Sequence, residues 1–357
     1  MVAYIRNMAV EQKKWIDDAS FRDIVAFCQM VPGATAIQSA AYVGLMLRGV
    51  SGAAVSFIGF GLPAFIFMMI LSVVYMQTLN LPAMVSTFNG LQAIVVSIIA
   101  NATITFGRAY VKNWQTATIA FAAGVLFFFG INPILVILFA AVTGILFFLK
   151  QPYTLAKSSC RHLTTYRSVL IILAAAVLGF AILFFTDRGL FDLAALMSRI
   201  DLFAFGGGFA SVPLMYHEVV NVNSWMDSRT FLNGIALGQI TPGPIVITAT
   251  FIGYVLYGLL GGIIATISVF LPSFLIVIGV APYFDKLHSS PYFGKAIIGV
   301  LSSFVGLLLS VAILFAFKIP WDLFRIIIAL SALVALFVNV EIYWVILAGI
   351  IVSIILL

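Results

Sequence analysis

Charge is what this sequence has least of. Only 8% of its 357 residues are Asp, Glu, Lys or Arg, against about 25% in a soluble domain, which excludes a water-facing surface wrapped around one core. Cysteine is nearly missing too. Cys28 in an apolar stretch and Cys160 in a basic loop form neither a disulfide framework nor a metal-ligand spacing, and no role is assigned to them. The histidines His162, His217 and His288 are too scattered to hold a metal, and neither a Ser-His-Asp grouping nor a GxxxxGK[ST] loop is present. These absences point away from an enzyme and imply no metal and no cofactor. Alternating segments of about 10 residues are missing as well, which excludes a transmembrane barrel. The opening stretch MVAYIRNMAVEQKKWIDDASF lacks the apolar centre of a cleaved signal peptide.

What remains is apolar. Hydrophobic residues make up 63% of the chain and the mean hydropathy is +1.19, with repeated runs of about 20 residues, the length that crosses roughly 30 Å of hydrocarbon. Helices are then the way to satisfy the backbone. The expected fold is an all-α polytopic membrane protein of about 12 transmembrane or half-spanning segments, near residues 22–47, 50–77, 83–107, 113–130, 132–149, 168–186, 193–217, 230–257, 259–281, 292–317, 320–338 and 340–357. The net charge of +6 is spread without an aromatic-basic patch, so nucleic acid is not an expected partner. Residues 150–167, KQPYTLAKSSCRHLTTYR, carry four basic and no acidic side chains and read as a cytoplasmic linker in a cell (inner) membrane protein. If every segment crosses once, Arg48, Arg108, Lys112 and residues 217–230 and 282–295 share that side, and the C-terminus lies outside.

The linker separates two homologous halves, 1–149 and 168–357. A shift of 210 lays WIDDASFRDIVAFCQMVPG over WMDSRTFLNGIALGQITPG, and a shift of 209 then pairs Gly44 with Gly253, Gly49 with Gly258 and Pro63 with Pro272. The copies begin an odd number of segments apart, so an inverted-topology repeat with broken helices is expected. Such repeats place paired helix breaks around a transporter's substrate site. An interior proline costs a helix roughly 3 kcal/mol or more. Breaks at Pro32-Gly33 and Pro242-Gly243-Pro244 free N–H groups at the start of the following half-helix, and with the local dipole these form an anion receptor.

The candidate substrate-binding residues are therefore Gln29, Pro32, Gly33, Phe205, Gly206, Gly207, Gly208, Gln239, Thr241, Pro242, Gly243 and Pro244. Three successive glycines allow an unwound, amide-lined nest, although small residues also serve close helix packing. Thr248 and Thr250 are further donors unless they bond their own backbone. His217 and Glu218 are proton-coupling candidates, with an ordinary interfacial position as the alternative. Arg48, Arg199 and Lys286 either attract an anion or snorkel to the interface.

At FGGGFASVP, GQITPGPIVITATFIGY and FLPSF the chain resembles the chromate ion transporter family. The resemblance covers nearly the whole sequence. It departs at Pro32-Gly33-Ala34, where the family has Pro-Gly-Pro, and at the start, where the segment equivalent to Phe-Gly-Gly is expected to be missing from the N-terminal half. The resemblance implies export of chromate, a tetrahedral oxyanion, driven by membrane potential or proton gradient; each charge leaving a negative interior gains about 2.3 kcal/mol per 100 mV. A passive oxyanion channel or a sulfate carrier of the same fold is the alternative, and a structural or receptor subunit without flux is a third reading. The implied partners are a chromate- or sulfate-like oxyanion and the lipid bilayer, with a homodimer left open.

Overall fold

The computed structural model describes residues 1–78, 81–149, 166–283 and 290–356. Most of the expected linker, with Cys160 and His162, lies outside them, as do Lys286 and His288. Among the described residues the regular structure is helical. Five helices are long and apolar enough to cross a membrane: Thr35–Thr78, Pro82–Tyr110, Arg167–Thr186, Ile245–Val280 and Pro291–Lys318.

Two of the five are not single rods. Within Thr35–Thr78 the backbone leaves helical values at Arg48 (φ −140°, ψ 25°) and Gly49 (φ 62°, ψ −152°). Within Thr248–Val280 it does so at Tyr257 (φ −136°, ψ 22°) and Gly258 (φ 60°, ψ −147°). The second residue of each pair sits where only glycine is comfortable, so the same turn is written twice at a spacing of 209. The chain reverses there, because Gly44 packs on the Gly52 carbonyl and Gly253 on the Gly261 carbonyl.

With those turns as boundaries the first half runs α1 (Val2–Arg6, continued as a π-helix over Asn7–Gln12), α2 (Asp18–Met30), α3 (35–47), α4 (50–78), α5 (Pro82–Tyr110), α6 (Trp114–Phe128) and α7 (Pro133–Phe148). Then come α8 (Tyr166–Thr186) and α9 (Arg188–Phe203). The second half repeats the first series as α10 (Ser211–Tyr216, continued as a π-helix over His217–Val222), α11 (Ser228–Ile240), α12 (248–256), α13 (259–280), α14 (Pro291–Lys318), α15 (Leu323–Phe337) and α16 (Ile342–Leu356). Local signals repeat as well. Pro82 and Pro291 open α5 and α14, where a proline's missing N–H costs nothing, and Asn113 and Asp322 cap α6 and α15 with their side chains.

Three stretches expected to cross once instead fold back on themselves. Phe27 on α2 stacks on Tyr42 of α3 with ring centroids 5.1 Å apart, which makes residues 18–47 a hairpin with its tip at 31–34. Gly234 on α11 packs against Phe251 of α12 and Gly238 against Thr248, giving a second hairpin with its tip at 241–247. Arg199 of α9 pairs with Glu218 at 2.6 Å across a third, whose tip holds the glycine run. An arm such as α2, 13 residues long, extends about 20 Å, short of the roughly 30 Å of a bilayer core.

This changes where residues 217–230 lie. Helix α14 begins beside α7, with Lys295 Nζ donating to Leu149 O at 2.9 Å, and ends where Phe315 packs on Tyr216 and Phe231. Residues 217–230 and the end of α7 are thus at opposite ends of the bundle, and the expectation that both face the cytoplasm does not hold. The reason is parity: a segment that turns back contributes no crossing.

The long helices that follow the reversals, α4 and α13, pack antiparallel. Phe57 meets Phe270 and Phe274 at ring-centroid distances of 6.1 and 5.0 Å, while Met69, farther along α4, lies on Gly262 near the start of α13. Glycine sets these close approaches. Gly253→Val is expected to destabilise the protein by several kcal/mol, since the neighbouring carbonyl of Gly261 is backbone and cannot step aside. Gly179→Val, with no neighbour within 4 Å, should stay within about 0.5 kcal/mol of the parent. Thermal unfolding of both variants in detergent checks the contrast.

Candidate functional site

The three hairpin tips meet. Pro32 and Phe205 form an isolated antiparallel bridge, and the Gly33 N–H donates to Ala204 O at 2.9 Å. Gly33, Gly206 and Gly207 make this possible with φ of 115°, 85° and 108°, values that side-chain-bearing residues avoid. On its other flank Gly208 faces Ile245 and Val246, and Gly207 faces Thr35 Oγ1. Leu301 of α14 and Phe106 of α5 close over Gly206.

Each break also leaves amides without a backbone acceptor. The N–H groups of Thr35, Ala36, Gly207, Gly208 and Ile245 make no backbone hydrogen bond among the described residues. They sit at the starts of half-helices, where the first N–H groups have no intrahelical partner and the dipole is positive. Such an arrangement can receive negative charge.

A second pattern links the halves. Gly33, in the first break, packs against Ser273, the residue after Pro272 in α13; Gly243, in the second break, packs against Ala64, the residue after Pro63 in α4. Gly33 and Gly243 are repeat equivalents, and so are Ala64 and Ser273. Gly33 and Gly243 therefore each rest on the residue that follows the interior proline of a long helix from the other part of the chain.

At the Ser273 contact the site is polar. Pro272 has no N–H to give the Ser268 carbonyl, and the Ser198 hydroxyl fills that vacancy at 2.9 Å. One turn along α9, Asp201 Oδ2 accepts from both the backbone N–H and the hydroxyl of Ser273, at 2.7 and 2.6 Å. Gln38 of α3 donates from Nε2 to Pro32 O at 2.5 Å and lies beside Gly33. Asp201, Ser273 and Gln38 have no solvent exposure, and Asp201 Oδ1 and Gln38 Oε1 lack any hydrogen-bond partner.

The sequence-derived candidates divide accordingly. Pro32, Gly33, Phe205, Gly206, Gly207 and Gly208 come together, with Pro244 buried beside Ile245 at the 241–247 tip. Gly243 sits on α4, and Pro242 is exposed. Gln29 is exposed on α2, whereas its equivalent Gln239 is partly buried with Nε2 unpartnered. The hydroxyls of Thr241 and Thr248 bond back to Gly238 O and Ile245 O, and Thr250 pairs with Thr266. His217 and Glu218 stand away from the tips, on the return arm of the third hairpin. Glu218 is held by Arg199, and Glu218 Oε1 and His217 Nδ1 are unpartnered. Asp201, Gln38 and Ser273 were not among the candidates. A carboxyl inside an apolar segment was the available signal for the first, since such residues are costly in a membrane and mark function.

The family model described as Chromate transporter matches residues 1–145 and 191–354. An uncharacterized transporter of Methanocaldococcus jannaschii is 42% identical over 342 residues, covering 94% of this chain and 84% of the relative. A chromate transport protein of Cupriavidus metallidurans is 29% identical over 321 residues, with coverages of 88% and 77%. A probable chromate transport protein of Synechococcus elongatus is 29% identical over 344 residues, with coverages of 94% and 84%. No solved structure matches the chain.

Proposed function

The chain belongs to the chromate transporter family, and from that premise we propose that it is a secondary carrier exporting chromate from the cytoplasm by alternating access around the three hairpin tips. Membership makes it a membrane transporter rather than an enzyme. The observation that carries the finer reading is the meeting of broken helices, with unpaired amides of residues 35, 36, 207, 208 and 245 around one point. A dianion held there is bound by donors already in place, at little reorganisation cost. The exchanged contacts Gly33–Ser273 and Gly243–Ala64, with the antiparallel α4 and α13, support two inverted-topology halves. In that arrangement one half rocks against the other and exposes the tips to each side in turn. With the basic linker cytoplasmic in the inner membrane, the membrane potential favours outward movement of the anion.

Purified protein in liposomes tests this. Labelled chromate uptake should saturate, exchange with internal chromate and fall when sulfate or molybdate competes. Linear, non-saturating flux would identify a channel instead, and no flux of any oxyanion would defeat the carrier reading.

A further inference from the structure

The cluster behind the tips has the wrong polarity for an anion. Asp201 Oδ1 and Gln38 Oε1 are both fully buried acceptors with nothing to accept from; Asp201 is bonded to Ser273, and Ser273 and Gln38 both lie against Gly33. Asp201 forms no ion pair among the described residues. The charged and titratable groups on the elements packed around it do not supply one. Arg199, on its own helix, is bound to Glu218; His217 and Glu218 lie on the return arm; Arg167 is in the first turn of α8. Helix α13 has no charged residue, α12 brings Tyr254 and α3 brings Tyr42, which stacks on Phe27; on α2 Cys28 is buried, while Asp18, Arg22 and Asp23 sit at the far end of the first hairpin. A charged carboxylate taken out of water without a counter-charge neutralises itself.

Resting on the carrier reading above, we propose that Asp201 is a proton-binding site of the transport cycle, loaded together with the oxyanion, with Ser273 and Gln38 as its hydrogen-bonding surround. A proton on Oδ1 provides a donor in a cluster with an excess of acceptors. A sodium ion fits less well, because hard cations gather several oxygens and only two are unpartnered here. The coupling has a physical cause. A dianion at the tips and a carboxylate beside them repel each other in a medium of low dielectric, so protonation of one favours binding of the other. Ser273 is the hinge of this coupling, since it touches both Asp201 and the tip glycine Gly33.

Infrared titration of the full chain in detergent, with D201N as the comparison, reads the proton directly. A carboxylic-acid band that disappears as pH rises and is missing from D201N is expected. Its absence at every pH would overturn the proposal. Sulfate binding gives the coupling, because sulfate keeps its charge between about pH 5 and 8 and does not titrate with the protein. Wild-type affinity should rise by up to about tenfold per unit fall in pH, the limit for one proton per anion, and D201N should be flat. Unchanged pH dependence in D201N, or a sodium dependence lost there in its place, refutes the assignment. If D201N fails to fold, Ser273→Ala serves: it removes one donor to the carboxylate and should move the infrared titration to higher pH, and no movement counts against the proposal. Should wild type move no oxyanion, the carrier reading falls, and the infrared band still decides whether Asp201 holds a proton.

Discussion

Alanine at Gly33 is expected to abolish oxyanion flux and to cost roughly 2–6 kcal/mol of stability, combining a disallowed backbone with overpacking. The φ of 115° is one reason. The other is space: an added Cβ would overlap the Ser273 hydroxyl and stand 2.5 Å from Gln38 Nε2. Ser273 cannot turn away without dropping its hydroxyl bond to Asp201, so the strain reaches the buried carboxyl. Gly130→Ala separates the two causes. Gly130 also has positive φ, 82°, but nothing lies within 4 Å of its added Cβ, so this variant should lose only about 1–2 kcal/mol and transport normally. Proteoliposome flux and thermal unfolding of both variants decide. Normal flux in Gly33→Ala would remove the tip from the transport pathway.

Gly243→Ala should lower chromate flux by at least about tenfold, corresponding to about 1.4 kcal/mol in the transport barrier, and Ala64→Gly should restore it. The added methyl would overlap the Ala64 Cβ of the opposite half, while the next neighbour, Ala64 Cα, stands 3.8 Å away. Moving the methyl from one partner to the other keeps their combined volume. Ala64→Gly alone costs about 1 kcal/mol in helix propensity, so the pair is best read as a double-mutant cycle on flux rates. A double variant as slow as Gly243→Ala would mean that the methyl acts elsewhere and that the exchanged contact between halves does not govern transport.

The breaks were legible because proline and glycine act locally. Pro32-Gly33, the run Gly206–Gly208 and Pro242-Gly243-Pro244 interrupt helices wherever they stand, and each is a hairpin tip in the fold. The two reversals were legible for a related reason: Gly49 and Gly258, aligned at a spacing of 209, adopt the same turn. The path of the chain between breaks was not. An apolar segment that crosses and one that turns back have the same hydropathy, and only pairs such as Phe27–Tyr42 and Arg199–Glu218 separate them. Residues 217–230 accordingly lie at the end of the bundle opposite the close of α7, not on the side a count of single crossings predicts. Gln38 is unremarkable in its own segment, and Asp201, a carboxyl in an apolar stretch, has no partner within its own segment that would tie it to the breaks. They matter only once Ser273, 72 positions from Asp201, stands between them.

The sequence by itself determined a helical membrane protein with interrupted helices, since hydropathy, proline and glycine act through solvent transfer and backbone geometry at each residue. Only the tertiary structure decided that the interruptions are the tips of hairpins, that Gly33 and Gly243 lean on Ser273 and Ala64, and that the buried carboxyl of Asp201 lies behind them. Those features depend on which distant surfaces touch, and no single segment's hydropathy records that.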